Sequence, residues 1–218
     1  MGEYDNLIFD FDGTLTDSRE DITAAQLWSL VQIGFAGCPK ERLFPHIGKP
    51  LAETFSLVLP EELHPRIPEA VALYSEYYPP RSLLTTTLFP GVEGALRSLH
   101  AAGKRLAIAS TKREAGLVRA TRHFGIIDLF DQLQGSDVLP YKPDPAIVNR
   151  VVEDQGWDRK RTLMVGDTGH DVRAGQGAGV ATCGVTYGSL SRRELEAFRP
   201  DFIIDALPEL LLLLKVAS

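Results

Sequence analysis

Short apolar runs recur along the chain, each ending in polar or small residues: Leu7–Phe9, Leu106–Ala109, Leu163–Val165, Val180–Val185 and Phe202–Ile204. Hydrophobicity that is continuous rather than alternating predicts strands buried on both faces, as in a parallel sheet. Between these runs, Val92–Ala102, Arg113–Phe124, Pro145–Gln155 and His170–Ala178 carry a helical pattern. Each is followed at once by a glycine (Gly103, Gly125, Gly156 and Gly179), the residue expected at a left-handed helix stop. Strand and helix alternating in this way predict a layered α/β fold with right-handed crossovers.

Residues 17–86 break that rhythm. They hold helical patterns, Ile22-Ala25-Leu30 and Ile67-Val71-Tyr74-Tyr78, and no comparable strand. Ser18-Arg19-Glu20-Asp21 is expected to form a capping box at the first of these helices. Pro79-Pro80, then Thr85-Thr86-Thr87 and Pro90-Gly91, punctuate the return. The expected organisation is a core of residues 1–16 and 87–218 interrupted by a helical insertion of residues 17–86.

Composition narrows the function classes. The 218 residues carry a formal net charge of −6, with 44% hydrophobic and 24% charged positions, a profile of a globular chain. An acidic balance with no basic run longer than Arg159-Lys160-Arg161 argues against nucleic acid as a partner. Cys38 and Cys183 are far apart and match neither a disulfide framework nor a zinc site, so a cytoplasmic setting is expected. The leucine run 210–214 falls far short of the ~20 residues that cross a bilayer, and no export signal or membrane partner is expected.

Acids gather where the predicted strands end. The first runs into Asp10-Phe-Asp12-Gly13-Thr14, and ligands of open α/β sheets collect at strand carboxyl ends. Two carboxylates ahead of a sharp glycine turn can share one small volume, and a divalent cation would let both ionise. Mg²⁺ suits such an oxygen-rich site. Gly166-Asp167-Thr-Gly-His170-Asp171 repeats the arrangement after a second strand, with Asp171 one helical turn on. Ser110 and Thr111 follow a third strand, at an expected helix N-terminus able to hold a phosphate. Lys142, on a proline-flanked loop, supplies a cation for a transferring phosphoryl group.

Asp10-Phe-Asp-Gly-Thr-Leu, the strand-end Ser110, Lys142-Pro-Asp-Pro and Gly166-Asp167-Thr-Gly-His-Asp171 resemble, in order, the four motifs of the haloacid dehalogenase superfamily. The resemblance spans nearly the whole chain, and residues 17–86 look like the helical cap of its phosphoglycolate phosphatase-like subgroup. It implies a Rossmann-like three-layer core and a Mg²⁺-dependent phosphatase acting on a small phosphorylated metabolite. It further implies Asp10 as the nucleophile that becomes an aspartyl-phosphate and Asp12 as the acid and base. Ser110, with Thr111, would bind phosphoryl oxygens, and Lys142 would balance charge. Mg²⁺ would be held by Asp10, the Asp12 carbonyl and Asp167, with Asp171 outside that set, orienting its water. A carboxylate at position 12 separates phosphoester hydrolysis from the dehalogenase and phosphonate-hydrolase branches.

Other readings stay open at this point. A phosphomutase of the β-phosphoglucomutase type would use the same aspartyl-phosphate, and a non-enzymatic phospho-Asp signalling module shares the acids, hydroxyl and lysine but is much shorter. In the insertion, Lys49 and His46 are expected to reach the non-transferred part of the substrate. His170 is expected to be a solvated or gating residue rather than a ligand, because a hard cation prefers oxygen. The substrate and the oligomeric state are not legible.

Overall fold

The computed structural model describes residues 4–216. In chain order its elements are β1 (Asn6–Phe9), β2 (Thr16–Asp17), α1 (Arg19–Gln32), α2 (Leu51–Val58), α3 (Ile67–Tyr77), β3 (Thr87–Leu88), α4 (Val92–Ala101), β4 (Arg105–Ala109) and α5 (Glu114–His123). There follow β5 (Gln132–Gln134), α6 (Ala146–Asp154), β6 (Thr162–Gly166), α7 (Gly169–Gly177), β7 (Ala181–Val185), α8 (Arg192–Glu196), β8 (Phe202–Ile204) and α9 (Glu209–Leu213). Two compact units result, Met1–Thr16 with Leu88–Ser218, and Asp17–Thr87.

The first unit is a Rossmann-like three-layer α/β core. Its parallel sheet has the order β5-β4-β1-β6-β7-β8. β1 is central, pairing Leu7 with Leu106 on one side and with Leu163 on the other. Because side chains alternate between faces, Ile8, Ala107 and Met164 turn together toward α6 and α7 and bury Val148, Val151 and Ala174. Every residue of β1 and β6 is buried, which is why both read as unbroken apolar runs. The four helix-closing glycines all have positive φ, between +62° and +76°.

One strand of this sheet had no signature in the sequence. β5, Gln132-Leu133-Gln134, is a half-buried edge strand that pairs only with β4, so a single apolar residue suffices. Its carboxyl end nonetheless helps to build the site.

The second unit is helical. Leu30, Ile33, Leu43, Phe55, Val58 and Ala70 form its core, drawn from α1, α2, α3 and the turns between them. The expected capping box at α1 is not formed. Ser18 is the N-cap position but makes no side-chain cap hydrogen bond. Asp21 is instead buried, and its two oxygens accept the backbone N–H and hydroxyl of both Thr85 and Thr86, at 2.7–3.1 Å. Four donors from the returning segment outcompete the one backbone N–H that a capping box offers. No helix among the described residues is long and apolar enough to cross a membrane.

Candidate active site

The carboxyl ends of β1, β4 and β6 lie side by side because those strands are neighbours in the sheet. Asp10 leaves β1, its N–H still bonded to the Val165 carbonyl of β6 at 2.9 Å. Asp167 leaves β6. Asp171 sits at the third position of α7, where its Oδ2 accepts the Thr168 N–H (3.0 Å) and hydroxyl (2.6 Å) in a true capping box. One oxygen of each of these three buried carboxylates lies within 4.8 Å of the others.

Lys142 is the cation of the cluster. Its ammonium lies 2.8 Å from Asp10 Oδ1 and 2.5 Å from Asp171 Oδ1, and donates to the Ala109 carbonyl at 3.0 Å. The Lys142 side chain is 3% exposed, so a full charge sits inside the protein only because two carboxylates and a carbonyl surround it. Burial alone would lower its pKa, yet Asp10 and Asp171 outweigh burial and raise it. His170 steadies the same loop: its Nδ1 lies 3.0 Å from the Lys142 carbonyl. A carbonyl can only accept, so Nδ1 carries the proton. His170, expected to be a solvated or gating residue rather than a ligand, is half-buried beside that loop.

Three acids against one ammonium leave excess negative charge. Burial, then Asp171 and Asp167, push the Asp10 carboxyl up to about 7 against the pull of Lys142. Burial and Asp171 push Asp167 up to about 6, opposed by hydrogen bonds from Ser189 and Thr14. Asp10 Oδ1 is buried and, among the described residues, receives no well-directed hydrogen bond, Lys142 being its ion-pair partner. Hard oxygen donors and surplus negative charge together fit a small divalent cation. Asp171 already spends one oxygen on Lys142 and the other on Thr168.

Asp12 is not one of the clustered carboxylates. Its Oδ2 pairs with Lys112 Nζ at 2.8 Å, both side chains 11% exposed. Between the two acids and Asp167 the chain passes very close: Gly13, at φ +91°, would place a Cβ 2.3 Å from Asp167 Oδ2. Only glycine satisfies both that backbone and that approach. Thr14 then turns its hydroxyl onto Asp167 Oδ1 at 3.1 Å, and the Ser189 N–H donates to Asp167 Oδ2 at 2.7 Å.

Ser110 is buried at the end of β4, its N–H bonded to the Gln134 carbonyl of β5. Ser110 and Thr111, expected at a helix N-terminus, stand a few residues ahead of it. α5 starts only at Glu114, whose N–H is taken by Asp137 Oδ2 at 2.8 Å, and residues 110–113 form a separate turn in which the Lys112 N–H donates to Ser110 Oγ at 3.3 Å. The loop after β5 holds that turn, with the Ser136 hydroxyl on the Ser110 carbonyl at 3.0 Å.

Residues 7–185 match the family model for haloacid dehalogenase-like hydrolases. The chain belongs to that family. Along 97% of its length this hydrolase is 31% identical to a phosphoglycolate phosphatase of Vibrio vulnificus, over 96% of that protein. It is 30% identical to the pyrophosphatase PpaX of Halalkalibacterium halodurans, over 96% of each chain. A solved structure of a predicted phosphoglycolate phosphatase from Haemophilus somnus superimposes with a TM-score of 0.87 at 26% identity, covering 98% of this chain and 99% of that one. The protein is accordingly an enzyme, a phosphoric monoester hydrolase of the family.

Lys49 of this hydrolase lies in the Asp17–Thr87 unit, where its ammonium faces Glu53 at 3.2 Å. His46, in the same unit, has a buried Nδ1 without a partner among the described residues, and burial followed by the Lys49 charge lowers its pKa. Sequence reasoning did not single out Lys112, Thr14, Tyr187 or Ser189. Lys112 had a signal, being the cation of Ser110-Thr-Lys112, whereas a backbone N–H such as that of Ser189 leaves none.

Proposed function

We propose that this hydrolase is a Mg²⁺-dependent phosphatase of small phosphorylated metabolites, working through an aspartyl-phosphate on Asp10. The observation that carries the reading is the buried grouping of Asp10, Asp167 and Asp171 at the ends of β1 and β6, with Lys142 paired to Asp10 and Asp171.

In the first half-reaction an Asp10 oxygen forms a bond to phosphorus as the P–O bond to the leaving group breaks, and Asp12 gives its proton to the departing oxygen. In the second, Asp12 takes a proton from water, the water oxygen attacks phosphorus, and the Asp10–phosphorus bond breaks to restore the carboxylate. Lys142, 2.8 Å from Asp10 Oδ1, offsets charge as it builds on the nucleophile and phosphoryl group. Ser110, Thr111 and the N–H groups of their turn receive phosphoryl oxygens. Asp10, Asp167 and the Asp12 carbonyl would hold Mg²⁺, with Asp171 fixing Lys142 and the start of α7. Bound there, Mg²⁺ supplies positive charge against the phosphoryl oxygens.

The inserted unit acts as a cap, with Lys49 and His46 contributing to recognition of the rest of the substrate. The relatives' names favour phosphoglycolate and pyrophosphate as first compounds to assay. A cytoplasmic location agrees with two free, buried cysteines. The test is phosphate release from a panel of esters that includes both compounds, with Mg²⁺ or with EDTA. Mg²⁺-dependent release abolished in Asp10→Asn supports the reading. No release from any member, or conversion of a hexose 1-phosphate to its isomer without release, overturns it, the second in favour of a mutase.

A further inference from the structure

Tyr187 lies outside every motif that carries the catalytic acids. Its ring packs against Phe89, centroids 4.7 Å apart, and its phenol donates to the Thr14 carbonyl at 2.9 Å. The Thr14 hydroxyl in turn donates to Asp167 Oδ1 at 3.1 Å. Two residues beyond Tyr187, the Ser189 N–H donates to the other Asp167 oxygen at 2.7 Å. Between them, a Cβ on Gly188 would fall 2.3 Å from the Gly13 carbonyl oxygen and 2.4 Å from Asp167 Cβ. Residues 187–189 are therefore wedged against both the Asp10–Thr14 loop and Asp167, with no space for a side chain at the point of contact.

This arrangement leaves Asp167 oriented by neutral donors, the Thr14 hydroxyl and both the N–H and the side chain of Ser189, while Lys142 serves Asp10 and Asp171. A carboxylate accepts about four hydrogen bonds, so these donors still leave Asp167 a lone pair for a cation. We propose that Tyr187 is a positioning residue for divalent-cation binding: it fixes the Thr14 backbone so that the Thr14 hydroxyl and the Ser189 N–H hold Asp167 aimed at Asp10. The proposal rests on the reading of the site as a cation site given above. Phe89, the ring against Tyr187, belongs to the strand-return segment, and its N–H donates to the Leu15 carbonyl at 3.1 Å. Tyr187 thus braces both passages of the chain through this part of the core.

The experiment is a Mn²⁺ titration followed by electron paramagnetic resonance, with Mg²⁺ as competitor, on the wild type, Tyr187→Phe, Thr14→Val and Thr14→Ser. Partners behind a metal ligand typically contribute about 10–100-fold in affinity. Thr14→Val, which deletes the donor itself, is expected to weaken Mn²⁺ binding by about tenfold or more, and Tyr187→Phe, which acts through Thr14, by roughly threefold. Thr14→Ser, which keeps the hydroxyl, should bind close to wild type. The Mg²⁺ concentration for half-maximal phosphate release should rise in parallel. Wild-type Mn²⁺ affinity in Tyr187→Phe and Thr14→Val, with only a lowered melting temperature, overturns the proposal and leaves the phosphatase reading standing. A wild type that binds neither ion overturns the cation site itself.

Discussion

Replacing Lys142 by methionine keeps the side chain's length and removes its charge from the centre of the site. At an effective dielectric of ~20, the contacts of 2.8 Å to Asp10 and 2.5 Å to Asp171 are each worth about 6–7 kcal/mol of attraction. Desolvation of the ammonium and the repulsion that remains among the acids cancel much of this, and removing one member of a buried pair leaves a net loss of about 3–5 kcal/mol. The Ala109 carbonyl, which accepts from Lys142 at 3.0 Å, also loses its donor. Urea unfolding in EDTA at pH 8 should therefore show Lys142→Met less stable by about 3–5 kcal/mol. The loss should shrink at pH 5, because Asp10 and Asp167, already pushed up to about 7 and about 6, take up protons and no longer need a counter-charge. Equal stability at pH 8, or a loss that grows on acidification, would refute the electrostatic account of the cluster.

Three further outcomes are expected. Folded Asp10 and Asp167 hold protons that unfolded carboxylates, with pKa near 4, have released, so this pair costs the metal-free protein stability as pH rises from about 4 to 7. Thermal melting with EDTA or Mg²⁺ should accordingly show a larger Mg²⁺ increment at pH 8 than at pH 5. Asp21→Ala strands the buried Thr86 N–H and should cost about 2–3 kcal/mol, whereas Asp21→Asn can keep one oxygen on Thr86 and should cost about 1 kcal/mol. The Thr85 and Thr86 hydrogen bonds, against the opposing effect of burial, hold the Asp21 carboxyl below its ordinary range, so the wild type's advantage over Asp21→Ala should fade as pH drops below about 4 in denaturation curves. Gly13→Ala must relieve a 2.3 Å approach to Asp167 Oδ2 at φ +91°, and should lose about 1–3 kcal/mol together with divalent-ion binding, read by calorimetric unfolding and Mn²⁺ titration.

Much of the core was legible because burial on both faces writes itself as unbroken apolar strands, and because glycine ends each long core helix. Helix ends moved by only a residue or so, as at His170–Ala178 against Gly169–Gly177. β5 escaped because an edge strand with half-buried glutamines needs no such run. The capping box expected at α1 is missing for a different reason. Ser18 to Asp21 has the right composition, but Asp21 is claimed by donors more than sixty positions away, which no local pattern records.

The same divide runs through the site. Local sequence determined where Asp10, Asp12, Ser110, Lys142, Asp167 and Asp171 would emerge, because strand ends and helix starts are short-range properties. Only the tertiary structure decided how they are shared out: Lys142 between Asp10 and Asp171, Lys112 with Asp12, and Thr14 and Ser189 on Asp167. Those pairings depend on strand order and on angstrom-scale approaches between distant segments. Charge in a buried site is settled by distance, which a linear pattern of residues does not contain.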